Sequence, residues 1–308
     1  MGEPALAKLK HWFTALVCFV GAACTPTGKA HAPRNAHGAE RWAVYYAKDI
    51  PAKAFKDYDL VVFDRIYFPD FTELKGKTTV LAYISLGEVH GDTDEHHLLA
   101  QQKSLLGGRS KWNSYTVDIT AKTWAKMIDM QVADAMFKGF DGIMLDTLDS
   151  ALHLADMHSD PKGLAAQEAA IKIITNLHQR YPNMKIMLNR GFAILPRVAP
   201  VIDYALGESM LSNTDISTGQ SGLFPANTYQ TTAQHLLQAR AIAPSLKLYT
   251  LDYWNPDDVE GTQKLYAIQR ARGFAPYVTT PDLRRHTPEP PRATRALRPQ
   301  SPLEATHA

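Results

Sequence analysis

Residues 123–146 read TWAKMIDMQVADAMFKGFDGIMLD, and the two halves of this stretch follow different grammars. From Thr123 to Lys138 the residues keep a helical period, with Thr120 placed as an N-cap and Gly139 supplying the left-handed residue that ends the helix. A short apolar strand, Gly142 to Asp146, follows at once. Helix, terminal glycine, strand is the signature of an α/β unit whose helix covers a parallel sheet. The pattern repeats outward in both directions. A helix is expected from Ala165 to Tyr181, with Ala169, Ile173, Ile174 and Leu177 on one face and Pro182 beyond its end. Another is expected from Asp257 to Arg272, ending at Gly273.

Eight strand-like runs alternate with such segments: Trp42–Tyr46, Leu60–Asp64, Thr79–Ser85, Gly142–Asp146, Lys185–Asn189, Asp203–Glu208, Lys247–Asp252 and Phe274–Thr279. Eight strands with intervening helices predict a closed (β/α)8 TIM barrel spanning residues 33–283. The connections Gly87–Tyr115 and Ser209–Asn227 are longer than a barrel needs, and long loops at one end of a barrel build its site. From Pro281 the chain turns Pro- and Arg-rich without periodicity, so residues 284–308 are expected to form a disordered tail.

The chain has 308 residues, 45% hydrophobic and 21% charged, with a formal net charge of +2 from 33 basic and 31 acidic residues. That is ordinary globular composition, with enough apolar side chain for a sizeable core. Several arginines crowd between Arg284 and Arg298, which leaves no basic face for nucleic acid. At the N-terminus Lys8 and Lys10 precede the apolar run Trp12–Val20 and the small residues Gly21, Ala22 and Ala23. Residues 1–32 therefore read as a signal peptide and short linker, and the protein as exported: periplasmic, an outer-membrane lipoprotein, or secreted. Cys18 and Cys24 both fall in this segment, so the body can form no internal disulfide. Cys24 follows Gly-Ala-Ala as in a lipoprotein cleavage box, and a lipid anchor there is the one expected membrane contact. The protein is expected to be a monomer.

In a barrel the site lies at the C-terminal strand ends, and here polar residues terminate most of the apolar runs. They are Asp64, Glu88, Asp146 with Asp149, Asn189 with Arg190, Glu208, and Asp252 with Tyr253 and Trp254. Carboxylates converging with aromatic residues suit glycosidic-bond hydrolysis, in which one carboxylic acid protonates the leaving oxygen and a second carboxylate attacks or activates water. Tyr45, Tyr46, Tyr83, Trp254 and Tyr277 are candidate sugar platforms. Each has a blander alternative: Asp149 as a helix cap, Asp64 as a partner for Arg65 or Arg190, Asp118 as a structural acceptor, and the aromatics as packing. The His- and Asp-rich loop from Glu88 to His97 matches no metal-ligand spacing, nor do His153 and His158. No metal or cofactor is expected. The chain lacks a Gly-x-Ser-x-Gly elbow, a phosphate-binding glycine loop and a dinucleotide fingerprint.

Three segments, VLAYISLGE (80–88), KGFDGIMLDTLDS (138–150) and YALGE (204–208), resemble glycoside hydrolase family 114, above all the hydrolase domain of Pel exopolysaccharide-modifying proteins. The resemblance covers about residues 41–283. It implies a (β/α)8 barrel that makes internal cuts in α-1,4-linked galactosamine- or N-acetylgalactosamine-containing polymers. The family's two essential carboxylates fall on Asp146 and Glu208, the first as nucleophile and the second as general acid/base, in a retaining mechanism. Tyr45, Asp64, Tyr83, Glu88, Asp149, Asn189, Arg190, Asp252, Tyr253, Trp254 and Tyr277 are then expected to bind substrate. Many members carry Asp-Asn where this chain has Asp146-Thr147, and Glu-Gln-Cys where it has Glu208-Ser-Met. Both carboxylates survive these changes. Other readings are a non-catalytic carbohydrate-binding or matrix protein on the same barrel, and a hydrolase of a different glycan.

Overall fold

The computed structural model describes residues 40–154, 161–215 and 217–290. The expected signal peptide, Cys18, Cys24, His158 and residues 291–308 lie outside the described residues. Eight parallel strands form the barrel wall: β1 (Trp42–Tyr45), β2 (Leu60–Asp64), β3 (Thr79–Ser85), β7 (Gly142–Asp146), β8 (Lys185–Asn189), β9 (Tyr204–Glu208), β12 (Lys247–Tyr253) and β13 (Ala275–Thr279). They hydrogen-bond in that order. The two end strands lie against each other, and the Trp42 indole N–H joins them by donating to the Ala275 carbonyl at 2.9 Å. The remaining strands sit in the long connections. β4 (Glu88–His90), β5 (Leu105–Arg109) and β6 (Ser114–Val117) form a small antiparallel sheet after β3, and β10 (Ser212–Thr214) and β11 (Ser221–Leu223) form a hairpin after β9.

The helices are α1 (Asp94–Gln101), α2 (Lys122–Phe137), α3 (Leu148–Leu154), α4 (Pro161–Arg180), α5 (Leu195–Val198), α6 (Ala226–Ile242) and α7 (Val259–Ala271). α2 buries Trp124, Ile128, Val132 and Ala135, a stripe that recurs every three or four residues and lies along one face. The Trp124 indole N–H donates to the buried Leu86 carbonyl at 2.9 Å, pinning α2 to the end of β3. A net bond of about 1 kcal/mol is gained there and a buried orphan carbonyl is avoided. Gly139 (φ 88°) and Gly273 (φ 77°) end α2 and α7 in the left-handed region, as expected. Gly142 has a different reason to be glycine. A Cβ there would lie 2.0 Å from the Lys185 carbonyl oxygen, so a side chain would push β7 and β8 apart.

Several expectations need correction. Thr120 does not cap α2, whose N-cap is Ala121 without a side-chain bond. The Thr120 hydroxyl and N–H are both held by Asp118 Oδ1, at 2.6 and 2.9 Å, so Asp118 is a turn-forming acceptor. The connection after β3 is an ordered insertion rather than a loop, and the Glu88–His97 stretch supplies β4 and the start of α1. No group of metal-ligating side chains occurs among the described residues. The ordered chain also passes the expected boundary at residue 283. Leu283 accepts from the Tyr46 N–H at 2.7 Å, His286 bonds the Tyr58 hydroxyl at 2.9 Å, and Glu289 pairs with Arg270 at 2.7 Å. Residues 284–290 thus strap the seam between β13 and β1.

Candidate active site

The end of each barrel strand decides what its last residue can reach. Along a strand alternate side chains share a face, so Asp146 projects with Met144 and Gly142, and Glu208 with Leu206 and Tyr204. Asn189 ends the strand between them. Its Nδ2 donates to Asp146 Oδ1 at 2.7 Å and to Glu208 Oε2 at 2.5 Å. The Tyr253 hydroxyl donates to the other Glu208 oxygen at 2.5 Å, and the Tyr83 hydroxyl hydrogen-bonds Asp146. Tyr46 completes the ring with its centroid 4.9 Å from that of Tyr83. Six wall strands, or the residues directly beyond them, therefore meet at one carboxylate pair.

Electrostatics at this cluster are lopsided, because among the described residues no cation forms an ion pair with either carboxylate. Arg190, next in sequence to Asn189, turns away and gives its Nε to Asp149 Oδ2 at 2.7 Å and its Nη1 to the Glu208 main-chain carbonyl at 3.2 Å. Burial, and then the Glu208 charge, push the Asp146 carboxyl up to about 7, against the opposing pull of hydrogen bonds from the Thr147 N–H, Asn189 and Tyr83. Burial first, and then the neighbouring acids and phenols, also hold Tyr46, Tyr83 and Tyr253 well above the ordinary phenol range. They remain protonated, and so remain donors, at any physiological pH.

The residue after each of the three central side chains is left-handed without being glycine: Thr147 (φ 62°), Arg190 (φ 54°) and Ser209 (φ 49°). Such conformations cost about 1–3 kcal/mol each and persist only where the surroundings impose them. Here the barrel ladder imposes two of them. The Arg190 N–H reaches the Leu206 carbonyl at 2.8 Å and the Ser209 N–H reaches Leu251 at 2.7 Å, so the chain can turn out of the wall only at that residue. Thr147 is compensated by its hydroxyl, which bonds Ser85 Oγ at 2.7 Å and accepts from the Gly87 N–H at 3.0 Å. Gly87 in turn leaves no room for a side chain, since its Cβ would fall 2.1 Å from the Thr147 carbonyl oxygen.

Of the residues expected to bind substrate, Asn189, Tyr83 and Tyr253 meet the carboxylate pair, and the rest do not. Tyr45 is fully buried between Phe55 and Phe63, with its hydroxyl on Asp49 at 2.7 Å. Its neighbour Tyr46, with the opposite parity, faces the site. Asp252 is also fully buried, and accepts from the Leu211 and Ser212 N–H groups at 2.7 and 3.1 Å and from Gln269 Nε2 at 2.7 Å. Tyr277 is buried with its hydroxyl accepting from the Thr287 N–H at 3.3 Å. The Trp254 indole N–H is taken by Asp258, the N-cap of α7, at 2.9 Å.

Asp64 caps its own turn, accepting from Ile66 and Tyr67 N–H groups at 2.7 Å, while Arg65 goes to Asp134. Glu88 is locked by the Ser114 hydroxyl. Asp149 accepts from Arg190 and from the Gly191 N–H at 3.0 Å, tying α3 to the turn after β8. Ser85 and Thr147 were missing from the expected set, while Tyr46 was expected only as a candidate sugar platform. Strand parity could have moved Tyr46 ahead of Tyr45; nothing local marks Ser85 and Thr147, whose importance arises only where β3 meets β7.

Comparison with known proteins bears on the fold and the family. The glycoside hydrolase domain of PelA from Pseudomonas aeruginosa is 27% identical with a TM-score of 0.71, covering 81% of this chain and 98% of that one. Aspergillus fumigatus Ega3, in complex with galactosamine, is 16% identical with a TM-score of 0.56 over 81% of this chain and 94% of that one, a likeness of fold. No curated protein matches the chain. The family model of glycoside-hydrolase family GH114 matches residues 23–295, a span that includes the whole barrel and its strap, and the chain therefore belongs to that family and is a glycoside hydrolase.

Proposed function

We propose that the protein is an exported endo-glycosidase that cleaves an α-1,4-linked galactosamine- or N-acetylgalactosamine-containing exopolysaccharide, with Asp146 as nucleophile and Glu208 as general acid/base. The observation that carries this reading is the Asn189 nitrogen held by both acids. Two oxygens bound to one atom at 2.7 and 2.5 Å lie no farther apart than about 5.2 Å. Retaining glycosidases hold their carboxyl groups about 5–5.5 Å apart, and inverting enzymes need about 6.5–9.5 Å to admit a water. One oxygen of each acid lying this close leaves little room for a water between them, which supports retention through a covalent glycosyl intermediate.

Two carboxylates this close, partly sheltered and without a cation, bind one proton between them near neutral pH, and that affinity belongs to the pair. Asp146 receives three donors, from Asn189, Tyr83 and the Thr147 N–H, whereas Glu208 receives two. The reactive form is the one with the pair's proton on the general acid and its negative charge on Asp146, which the three donors stabilise. Glu208 then protonates the leaving oxygen, Asp146 bonds to the anomeric carbon, and Glu208 takes a proton from the water that releases the sugar. No step calls for a cofactor.

The galactosamine polymer is suggested by PelA, the exopolysaccharide-type relative, and by the sugar bound to Ega3. An uncompensated carboxylate pair would also attract the ammonium of a free amino sugar. Export is supported by Lys8, Lys10 and the apolar run Trp12–Val20, with a lipid anchor at Cys24 and a monomeric barrel as parts of the same reading. Among the described residues no helix is long and apolar enough to cross a membrane. The test is reducing-end release from a partially de-N-acetylated α-1,4-galactosamine polymer, with the anomer of the first product read by NMR. Cleavage with retained α configuration is expected. An intact polymer, or full activity in both Asp146→Asn and Glu208→Gln, would sink the proposal.

A further inference from the structure

Asn189 is only 3% exposed, and its side chain is committed inward. The amide carries two N–H hydrogens, and the geometry spends one on Asp146 Oδ1 and one on Glu208 Oε2. Its own oxygen is buried and meets no donor among the described residues. A buried carbonyl left unpaired is costly and asks for a compensating role. The reverse orientation of the amide would aim that oxygen at two carboxylate oxygens, which anions would repel. The side chain thus gives up its acceptor in order to put both donors on the pair.

We propose that Asn189 is a positioning residue that acts as a clamp: it sets the spacing of Asp146 and Glu208 and keeps their proton affinities where one can be acid and the other base. The inference rests on the assignment of those two residues as the catalytic pair. It differs from the sugar-binding role expected for Asn189, because neither amide hydrogen is left for substrate and the side chain is buried. The titratable groups facing the pair are the phenols of Tyr46 beyond β1, Tyr83 on β3 and Tyr253 on β12. The nearest guanidinium, Arg190, is held by Asp149 and by a main-chain carbonyl. Asn189 is therefore the one side chain that bonds both acids at once among the described contacts.

Donors on a carboxylate stabilise its anion, so removing them should raise both proton affinities and let the acids move apart. The test is the pH profile of kcat/KM on the galactosamine polymer, run for wild type, Asn189→Ala and the near-isosteric Asn189→Asp. The same profile is followed by carboxyl 13C NMR titration of the unliganded proteins. The substrate amines titrate identically in all three, so differences belong to the enzyme. Asn189→Ala should lose at least about 100-fold in kcat with KM within about threefold, and both limbs should move up by about one pH unit. Asn189→Asp replaces donors by acceptors, and should be the more damaged above about pH 5 and regain part of its rate on acidification. Unmoved limbs and unmoved carboxyl titrations overturn the clamp even if the rate falls, as does a raised KM with unchanged kcat. If wild type leaves the polymer intact, the functional reading fails on its own, and the NMR titration still decides the clamp.

Discussion

β7 and β12 both run through apolar residues to an aspartate at the same end of the barrel, yet Asp146 and Asp252 live in opposite worlds. Asp146 projects on the inward parity of β7, into a partly open cluster shared with a second acid. Asp252 projects on the outward parity of β12 and is sealed between the wall and α7 by Gln269 and two main-chain N–H groups. Burial pushes both carboxyls up, but Asp252 answers to fixed donors alone and Asp146 also to the Glu208 charge. The inward place at the end of β12 belongs instead to Tyr253, one residue on. A strand-end acid thus faces the carboxylate cluster or is sealed into the wall according to a single step of the pleat.

Substituting each aspartate by its amide breaks the comparison most directly. Asp146→Asn, like Glu208→Gln, should lower kcat/KM by at least about 1,000-fold, because the amide can neither attack nor shuttle a proton. Asp252→Asn should keep activity within about threefold, since an amide oxygen still accepts from Leu211 and Ser212. If both amides proved equally damaging, the parity argument would be wrong.

Removing the side chain altogether reverses the ranking on the stability axis. Asp252→Ala strands three buried donors and should cost about 3 kcal/mol in denaturant unfolding. Asp146→Asn should stabilise the fold near pH 8. The Asp146 carboxyl is raised in the folded state, so its contribution is full below the unfolded value of about 4 and is lost as pH rises through about 7. The gain in Tm should therefore fade between about pH 7 and pH 4, and a gain independent of pH would exclude this cause.

The smallest effects separate the adjacent tyrosines. Tyr46→Phe should slow turnover roughly tenfold by withdrawing a phenol from the carboxylate pair, with little change in stability. Tyr45→Phe should leave kinetics unchanged and cost about 1 kcal/mol through the lost bond to Asp49. Steady-state rates beside thermal melts would read both.

Much of the architecture is legible in the chain because it follows from local rules. Strands β2, β3, β7 and β8 begin and end where their apolar runs do, and Gly139 and Gly273 mark helix ends by their backbone freedom. Legibility fails where a residue's fate depends on a distant partner. Thr120 has the chemistry of a cap, but Asp118 claims its hydroxyl first. Glu88 looks like a strand-end acid, but the insertion folds Ser114 onto it. Trp254 looks like a sugar platform, but its indole N–H serves the N-cap of α7. Residues 284–290 read as tail because proline and arginine carry no period, and are ordered by pairing with Tyr58 and Arg270 across the seam.

The sequence by itself determined the alternation of strand and helix, the acids at the strand ends, and, through three short motifs, the family whose resemblance points to Asp146 and Glu208. Periodicity, glycine punctuation and motif identity are properties of neighbours along the chain. Tertiary structure alone decided that Tyr46 rather than Tyr45 faces the site, that Asp252 is sealed away, and that Asn189 lies between the two acids. Parallel pairing in register brings the ends of β7, β8 and β9 side by side, and only that pairing of distant segments places one amide within 2.7 Å of both carboxylates.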